Sequence, residues 1–255
     1  MSILNHSELN HPDSIVPEPT SLEPISLEPN APSPGTVLDL AQISQQLESE
    51  NSRDRLLALV ALKDATAEQA VPLIKKVLND ESVQIRGMAV FALGIKPLAE
   101  CFDLLIHILT SDPDYNVRAA AAGALGYLED ARALEALTRA FYEDTEWLVQ
   151  FSSAVALGNL KDKRARDVLL QALDNDQVLY QQAAIAALGE IGDLESVENI
   201  LRFANAEDWL VRQRLAEALG NLPCDQSRSA LRYLIKDGHP QVKEAADLSL
   251  QKLAA

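Results

Sequence analysis

The sequence predicts an all-α solenoid of about seven helix pairs that follows an extended, acidic N-terminal segment. Two observations favour this architecture: an eight-residue frame recurs seven times along the chain, and apolar residues keep a helical spacing between the frames. A third observation, a proline-rich composition confined to residues 1–35, separates the tail from the repeats. Because no stretch alternates apolar and polar residues with period two, we expect no β-sheet.

The recurring frame places a basic or amide residue seven positions before a leucine. Alanine is common three and six positions after the first residue, so that the small residues and the leucine share one helical face. The spacing between framing leucines is always 31 or 32 residues. The frames run Arg55–Leu62, Arg86–Leu93, Arg118–Leu125, Gln150–Leu157, Gln181–Leu188, Arg212–Leu219 and Lys243–Leu250. Each frame predicts the second helix of a pair, here called helix B.

The segment before each frame predicts a first helix, here called helix A. Leu104, Leu105, Ile108 and Leu109 show its apolar spacing. Thr66 followed by Gln69 fits a capping box, and Asp112 followed by Pro113 fits an N-cap with proline at the first helical position. Since one helix pair cannot bury its own apolar face, the pairs are expected to stack. A glycine directly after five of the framing leucines predicts tight packing between helices.

Residues 1–35 are predicted to form a disordered tail, and residues 36–255 the repeat domain. The tail holds seven of the chain's 12 prolines, five carboxylates and no Lys or Arg. Proline at this density favours extended backbone, and the apolar content is too low to offset the entropy of ordering. A short docking motif within residues 22–27, where a Ser-Leu-Glu-Pro unit is repeated, is the alternative interpretation.

Composition argues against several classes of function. The net charge of −16 repels phosphate backbones, so nucleic acid is not an expected partner. No apolar run reaches the roughly 18 residues needed to span a bilayer, and no targeting segment is apparent. The two cysteines, Cys101 and Cys224, lie about four repeats apart, too far for a disulfide or a shared metal. We expect a cytoplasmic protein without membrane insertion.

Aspartate and arginine recur in register with the frame. Asp80, Asp112, Asp144 and Asp237 each lie six positions before a frame, and Arg86, Arg118 and Arg212 begin one. A residue present in unit after unit is expected to serve the repeat itself. We therefore interpret these residues as a structural ladder between neighbouring loops.

Two stretches carry a family resemblance. The segment Ala187–Asp193 and the wider pattern at residues 80–94 and 112–126 resemble the phycobilisome-lyase type of HEAT-like repeat, over about residues 37–253. The resemblance implies a right-handed α-solenoid in which the B helices line the concave face. That class includes bilin lyase subunits, a phycobilisome-degradation protein, an iron–sulfur assembly factor and uncharacterised scaffolds. The single chain with a tail is most similar to the degradation protein and its relatives.

The resemblance implies a non-catalytic scaffold or chaperone-like protein of cyanobacteria. Its partner would be a protein, with phycobiliprotein subunits as the suggested class, and a bilin is the one ligand that the family suggests. The alternatives are a bilin lyase or bilin-detaching enzyme and, second, an iron–sulfur assembly factor. From the residues themselves, no cofactor, catalytic residue or metal ligand is expected. The four histidines form no triad or metal cluster, and the chain has no His-Glu dipeptide of the kind that iron hydroxylases with HEAT repeats use.

Binding residues are expected where one unit differs from the others. Frame positions +1, +2, +5 and +9 point away from the core of helix B. They are apolar in the second to fourth units and polar in the sixth, where Gln213, Arg214, Glu217 and Asn221 stand. The sequence therefore predicts a concave binding groove formed by Met88, Phe91, Tyr127, Phe151 and Val155. Packing between neighbouring B helices is the alternative role for these side chains.

A second candidate surface lies at the start of the B helices. Tyr115, Trp147 and Trp209 each stand three positions before a frame, along one rim of the predicted solenoid. Aromatic rings there suit a flat conjugated ligand or the apolar anchors of a partner. Capping and packing of the helix start is an equally good interpretation.

Overall fold

A computed structural model describes residues 39–254, which form fourteen α-helices and, within that range, no strand. The predicted tail and the boundary at residue 36 lie outside the described residues. The helices are α1 (Leu40–Gln46), α2 (Ser52–Ala61), α3 (Ala67–Ile74), α4 (Val83–Ile95), α5 (Ala99–Ser111), α6 (Tyr115–Tyr127), α7 (Leu134–Glu143), α8 (Trp147–Asn159), α9 (Arg166–Leu173), α10 (Val178–Ile191), α11 (Val197–Leu201), α12 (Trp209–Leu219), α13 (Asp225–Leu234) and α14 (Pro240–Ala254). The all-α repeat architecture is confirmed.

The helices form seven consecutive pairs. The odd-numbered helices are the A helices and the even-numbered ones the B helices, so that every frame lies on a B helix as predicted. The core lies between the two layers, and the framing leucines of the first six units are buried there. Leu250 of the seventh unit is half-buried. Thr66 and Gln69 form the predicted capping box at the start of α3.

Neighbouring B helices pack closely along their length, whereas neighbouring A helices touch little. The glycines after the framing leucines allow this approach. A Cβ atom built on Gly126 would lie 2.9 Å from Ala156 Cα of the next B helix, and one on Gly189 would lie 2.6 Å from Ala218 Cα. The stack is therefore tighter on the side of the B helices, and we call that side the concave face.

The Asp–Arg ladder joins successive units. Two N–H groups of Arg118 donate to the Asp144 carboxylate of the next unit, at 2.8 and 3.0 Å. The remaining Nη1 donates to the carbonyl oxygens of Asp112 and Pro113 in the turn before its own helix. The same pairing recurs at Arg55–Asp80, Arg86–Asp112 and Arg212–Asp237. The structural interpretation of these residues is confirmed, and Arg55 extends the ladder by one link.

Hydrogen bonding sets the protonation of the ladder. Burial alone would raise the pKa of the Asp144 carboxyl, but hydrogen bonds from Arg118 and the Glu146 N–H outweigh it, and the pKa lies below its usual range. The pKa of Asp80 is lowered in the same way. For Asp237, the hydrogen bond from Arg212 is the largest cause of a lowered pKa. These carboxylates are therefore ionised, acceptor-only groups at neutral pH.

The ladder also explains why the predicted cap at Asp112 is wrong. Helix α6 begins two residues later, at Tyr115, and its N-cap is Asp114, which accepts the Asn116 N–H at 2.8 Å. The Asp112 carboxylate is instead bound by Arg86 and by the Asp114 N–H. An aspartate before a proline carries the same local sequence signal in either role, and only the neighbouring unit decides between them.

Candidate protein-docking surface

The concave face changes character between its two ends. In the first four units, the side chains that point away from the core at frame positions +2, +5 and +9 include large apolar groups that are exposed. The exposed ones are Leu57, Val60, Phe91, Ile95, Tyr127 and Val155. We call these residues, together with Met88 and Phe151, the apolar half of the concave face.

An aromatic pair forms the most prominent feature of the apolar half. The rings of Phe91 on α4 and Tyr127 on α6 meet edge to face, with centroids 6.2 Å apart. They are nevertheless 49% and 58% exposed, which is far more than aromatic side chains of a core retain. The pair is fixed by its own contact and still presents two ring surfaces to solvent.

The other predicted groove residues lie on α4 and α8. Val155 is exposed, whereas Met88 and Phe151 are half-buried and pack partly against the core. Sequence reasoning missed Leu57, Val60 and Ile95, which occupy frame positions +2, +5 and +9 in the first two units; applying the same positions to every unit identifies them.

Two glycines widen the concave face without serving the fold. Gly87 and Gly123 lie inside helices α4 and α6, and a Cβ atom on either would meet nothing within 4 Å. Glycine inside a helix costs about 1 kcal/mol relative to alanine. Intramolecular packing does not offset that cost here, in contrast to Gly126 and Gly189. Gly87 and Gly123 lie about one helical turn before Phe91 and Tyr127, and they leave open backbone there.

The sixth unit presents a polar surface at the same frame positions, whereas the seventh exposes Leu248 at position +5. Arg214 pairs with Glu217 at 2.7 Å, and Gln213 donates to the same carboxylate at 2.8 Å. Asn221 accepts a hydrogen bond from Lys252 of the seventh unit. These groups satisfy one another, so the sixth unit offers hydrogen-bonded side chains at positions where the second and third units expose aromatic rings.

The three aromatic residues of the rim are all exposed. Tyr115, Trp147 and Trp209 are the first residues of α6, α8 and α12, and 39–49% of each is accessible. Trp209 stacks on His239 of the next unit, with ring centroids 4.1 Å apart and planes inclined by 14°. For Tyr115 and Trp147, no ring partner is found within residues 39–254.

Over residues 39–254, no group of three or more His, Cys, Asp or Glu side chains could hold a metal ion. Cys101 is buried, and burial raises the pKa of its thiol. Cys224 is half-buried, and its Sγ accepts the Ser227 N–H at the start of α13. Across the same range no helix combines the length and the apolar character that a bilayer crossing requires.

Comparison with solved structures supports the fold. The complex of CpcE and CpcF of phycocyanin lyase from Nostoc sp. PCC7120 aligns over 92% of this chain and 100% of that chain, with a TM-score of 0.58 and 20% identity. Kap95p, from a complex with RanGDP, aligns over 84% of this chain and 35% of its own, with a TM-score of 0.57 and 16% identity. An engineered protein aligns over 85% and 68%, with a TM-score of 0.54 and 19% identity.

Comparison with protein families gives the same assignment from sequence. The family described as HEAT repeats matches residues 102–188 and 169–251, which together are more than half of the chain. A comparison with curated protein sequences found no match. The helix pairs, the ladder between their turns and the matched residues agree, and this chain belongs to the HEAT-repeat family.

Proposed function

We propose that this chain is a non-catalytic HEAT-repeat scaffold that binds a protein through the apolar half of its concave face and acts in the handling of phycobiliproteins. The observation that carries the proposal is the exposed Phe91–Tyr127 pair beside the open backbone of Gly87 and Gly123. Exposed apolar surface of this kind marks an interaction site, because leaving it in water is unfavourable.

The geometry suits a helix or loop of a folded partner. Aromatic anchors that are already fixed lose little conformational entropy when they bind. Bulky side chains of the partner would lie over Gly87 and Gly123, where no Cβ obstructs them. The polar half, around Arg214 and Glu217, would then face the polar side of the same partner.

The phycobiliprotein part of the proposal rests on likeness. The repeats resemble the phycobilisome-lyase type, and CpcE and CpcF of phycocyanin lyase share the fold along almost the whole chain. A bilin bound to such a partner is a flat conjugated group that could stack on exposed rings such as Tyr127. Bilin lyase or bilin-detaching activity is the competing function, and iron–sulfur assembly is a further one.

Binding to purified phycocyanin and to its separated subunits tests the proposal. We expect saturable binding by the full chain, and Phe91→Glu to weaken it more than tenfold, because a buried aromatic anchor contributes about 2 kcal/mol or more. Tyr127→Glu, at a more exposed position, should weaken it similarly. Gln213→Ala in the polar half is the matched control, with less than a twofold effect. Circular dichroism should show unchanged helicity for all three variants.

The outcomes separate the parts of the proposal. If neither phycocyanin nor its subunits bind the wild-type chain, the phycobiliprotein assignment is wrong. If both glutamate variants keep their helicity and bind as tightly as the wild type, the concave face is not the site. Bilin absorbance on the chain after mixing, with loss of the chromophore from phycocyanin, would establish the competing enzymatic function. Iron and sulfide in the purified protein would establish the other.

A further inference from the structure

One edge of the solenoid presents a row of exposed apolar residues, each at the same place in its unit. Val83, Tyr115, Trp147, Val178 and Trp209 all lie three positions before the frame, at the first residue of α4, α6, α8, α10 and α12, and all are exposed. We call these five residues, which include the three aromatic residues described above, the rim. Since the B helices pack side by side, the row continues across five successive units.

The turns that carry the rim are strongly acidic. Residues 80–84, 112–116, 144–148, 175–179 and 206–210 contain no Lys or Arg. Every one of these turns has at least one carboxylate outside the Asp–Arg pairs of the ladder. These carboxylates are Glu81, Asp114, Glu146, Asp176, Glu207 and Asp208. Three of them directly precede an aromatic rim residue, as Asp114 does Tyr115, Glu146 does Trp147, and Asp208 does Trp209.

The arginines nearest to the rim attract some of its carboxylates, as Arg55 does Glu81 at 3.6 Å, but they do not cover its aromatic rings. Arg86, Arg118 and Arg212 are held by an aspartate of the next unit and by backbone carbonyls of their own turn. Their side chains are only 12–17% exposed. The fold therefore binds its own guanidinium groups within the turns and leaves the aromatic rings accessible. The carboxylates beside the rim residues are exposed at Glu81, Asp176 and Glu207 and half-buried at Asp114, Glu146 and Asp208.

Other aromatic rings of the chain show what the rim lacks. The Arg132 guanidinium lies 4.1 Å from the centroid of Phe102, and that of Arg202 lies 4.9 Å from Phe203. Trp209 is covered by the stacked imidazole of His239. Within residues 39–254, Tyr115 and Trp147 have neither a guanidinium nor a stacked ring, although each follows a carboxylate.

We propose that the rim binds an extended, arginine-containing segment of the partner protein, with guanidinium groups stacked on Tyr115 and Trp147 and paired with Glu146 and its neighbours. Arginine fits better than lysine, because its planar group stacks on rings and binds carboxylates with two N–H groups. This inference rests on the proposed protein-binding function and names the chemistry of the partner at a second surface of the same scaffold.

The spacing of the repeats fixes the spacing of the arginines. Packed helices lie about 8–10 Å apart. A polyproline II segment advances about 3.1 Å per residue with three residues per turn, so every third side chain points the same way at intervals of about 9 Å. A segment with arginine at every third position therefore matches one guanidinium to each unit.

Fluorescence anisotropy with a labelled peptide of five Arg-Pro-Ser units tests this proposal on the full chain. We expect saturable binding that weakens as salt is raised, because the contacts are largely ionic. A peptide with citrulline in place of arginine, and one with arginine at every fourth position, should bind at least tenfold more weakly. Trp147→Ala and Glu146→Gln should each weaken binding by about fivefold.

Matched controls come from α7, where Tyr142 and Glu143 are also an exposed aromatic residue and an exposed carboxylate. Tyr142→Ala and Glu143→Gln should leave peptide binding unchanged. Equal losses of peptide affinity in the controls and the rim variants would overturn the proposal in favour of general charge attraction. Undiminished binding of the citrulline peptide would also overturn it, because that peptide lacks the guanidinium groups. Phe91→Glu should not affect peptide binding, so failure at the rim is distinguishable from failure of the concave site.

Discussion

The first four units and the last three pack the same kind of apolar core. They differ in the side chains of their concave face and, from the fourth unit to the sixth, in the links between units. In the first four, Asp–Arg pairs join every turn to the next, and the concave face carries exposed rings such as Phe91 and Tyr127. From the fourth unit to the sixth, the ladder is interrupted because the frames begin with Gln150 and Gln181, and it resumes between the sixth and seventh units at Arg212–Asp237. The core positions stay apolar throughout, so the contrast lies in what the units show to their surroundings.

The interruption keeps the hydrogen bonds but drops the charge. Gln150 donates to the Asp144 carbonyl oxygen at 2.7 Å and accepts from the Tyr180 hydroxyl at 2.5 Å. Gln181 donates to the Asn175 carbonyl oxygen at 2.8 Å. Each amide thus fastens its own turn as the arginines do, while the charged link from the frame position is missing. Between the fifth and sixth units, Arg202 pairs with Asp174 at 2.5 Å instead. Turn closure by the frame residue is therefore present throughout these units, whereas its ionic link is not.

The largest effect that this comparison predicts is on stability. Arg118→Met leaves the Asp144 carboxylate without its guanidinium in a site that is mostly shielded from water, and should cost about 3 kcal/mol. Gln150→Met removes only neutral hydrogen bonds and should cost about 1 kcal/mol. Urea unfolding followed by circular dichroism measures both. Equal losses of unfolding free energy in the two variants would show that the charged and neutral links stabilise the chain equally.

Two glycines of α6 lie on different faces: Gly126 faces the neighbouring helix, and Gly123 lies on the open concave face. Gly126→Ala places a Cβ 2.9 Å from Ala156 Cα and should destabilise the chain by about 2 kcal/mol, because two backbones must move apart. Gly123→Ala meets nothing and should stabilise the chain by about 0.5–1 kcal/mol through helix propensity. Thermal unfolding of the two variants checks the signs. A destabilising Gly123→Ala would mean that this position serves the fold rather than binding.

The smallest predicted effect is a loss of stability at acidic pH. Because the pKa values of Asp80, Asp144 and Asp237 are lowered in the folded chain, the folded state binds fewer protons than the unfolded state below about pH 4. Their stabilisation is complete above that pH and declines as the pH falls towards the lowered values. Melting temperatures measured from pH 6 to 2.5 should show this decline, and Arg118→Met should show a shallower one. If the melting temperatures of the wild type and Arg118→Met decline equally with falling pH, the ladder is not the cause of the decline.

Much of the fold could be predicted because repetition multiplies weak signals. One frame such as Arg86–Leu93 is a common pattern, but seven in register identify helix B, its buried face and the ladder. Positions that recur report on packing, since every unit meets the same neighbour. Positions that vary, such as +5 and +9, report on whatever lies outside the chain, and Phe91 and Tyr127 were found in that way.

The amino-acid sequence by itself determined the helix pairs, their order and the direction of each core face, because helical periodicity and turn spacing are local properties. Contacts between units decided the rest. Whether Asp112 caps a helix or binds Arg86, and how far Phe151 is buried, depend on the unit alongside. The open space above Gly123, the closed space above Gly126 and the stacking of Trp209 on His239 follow from the same neighbours. The local sequence does not predict these differences in role and burial, because they depend on the distance from each residue to the neighbouring helix.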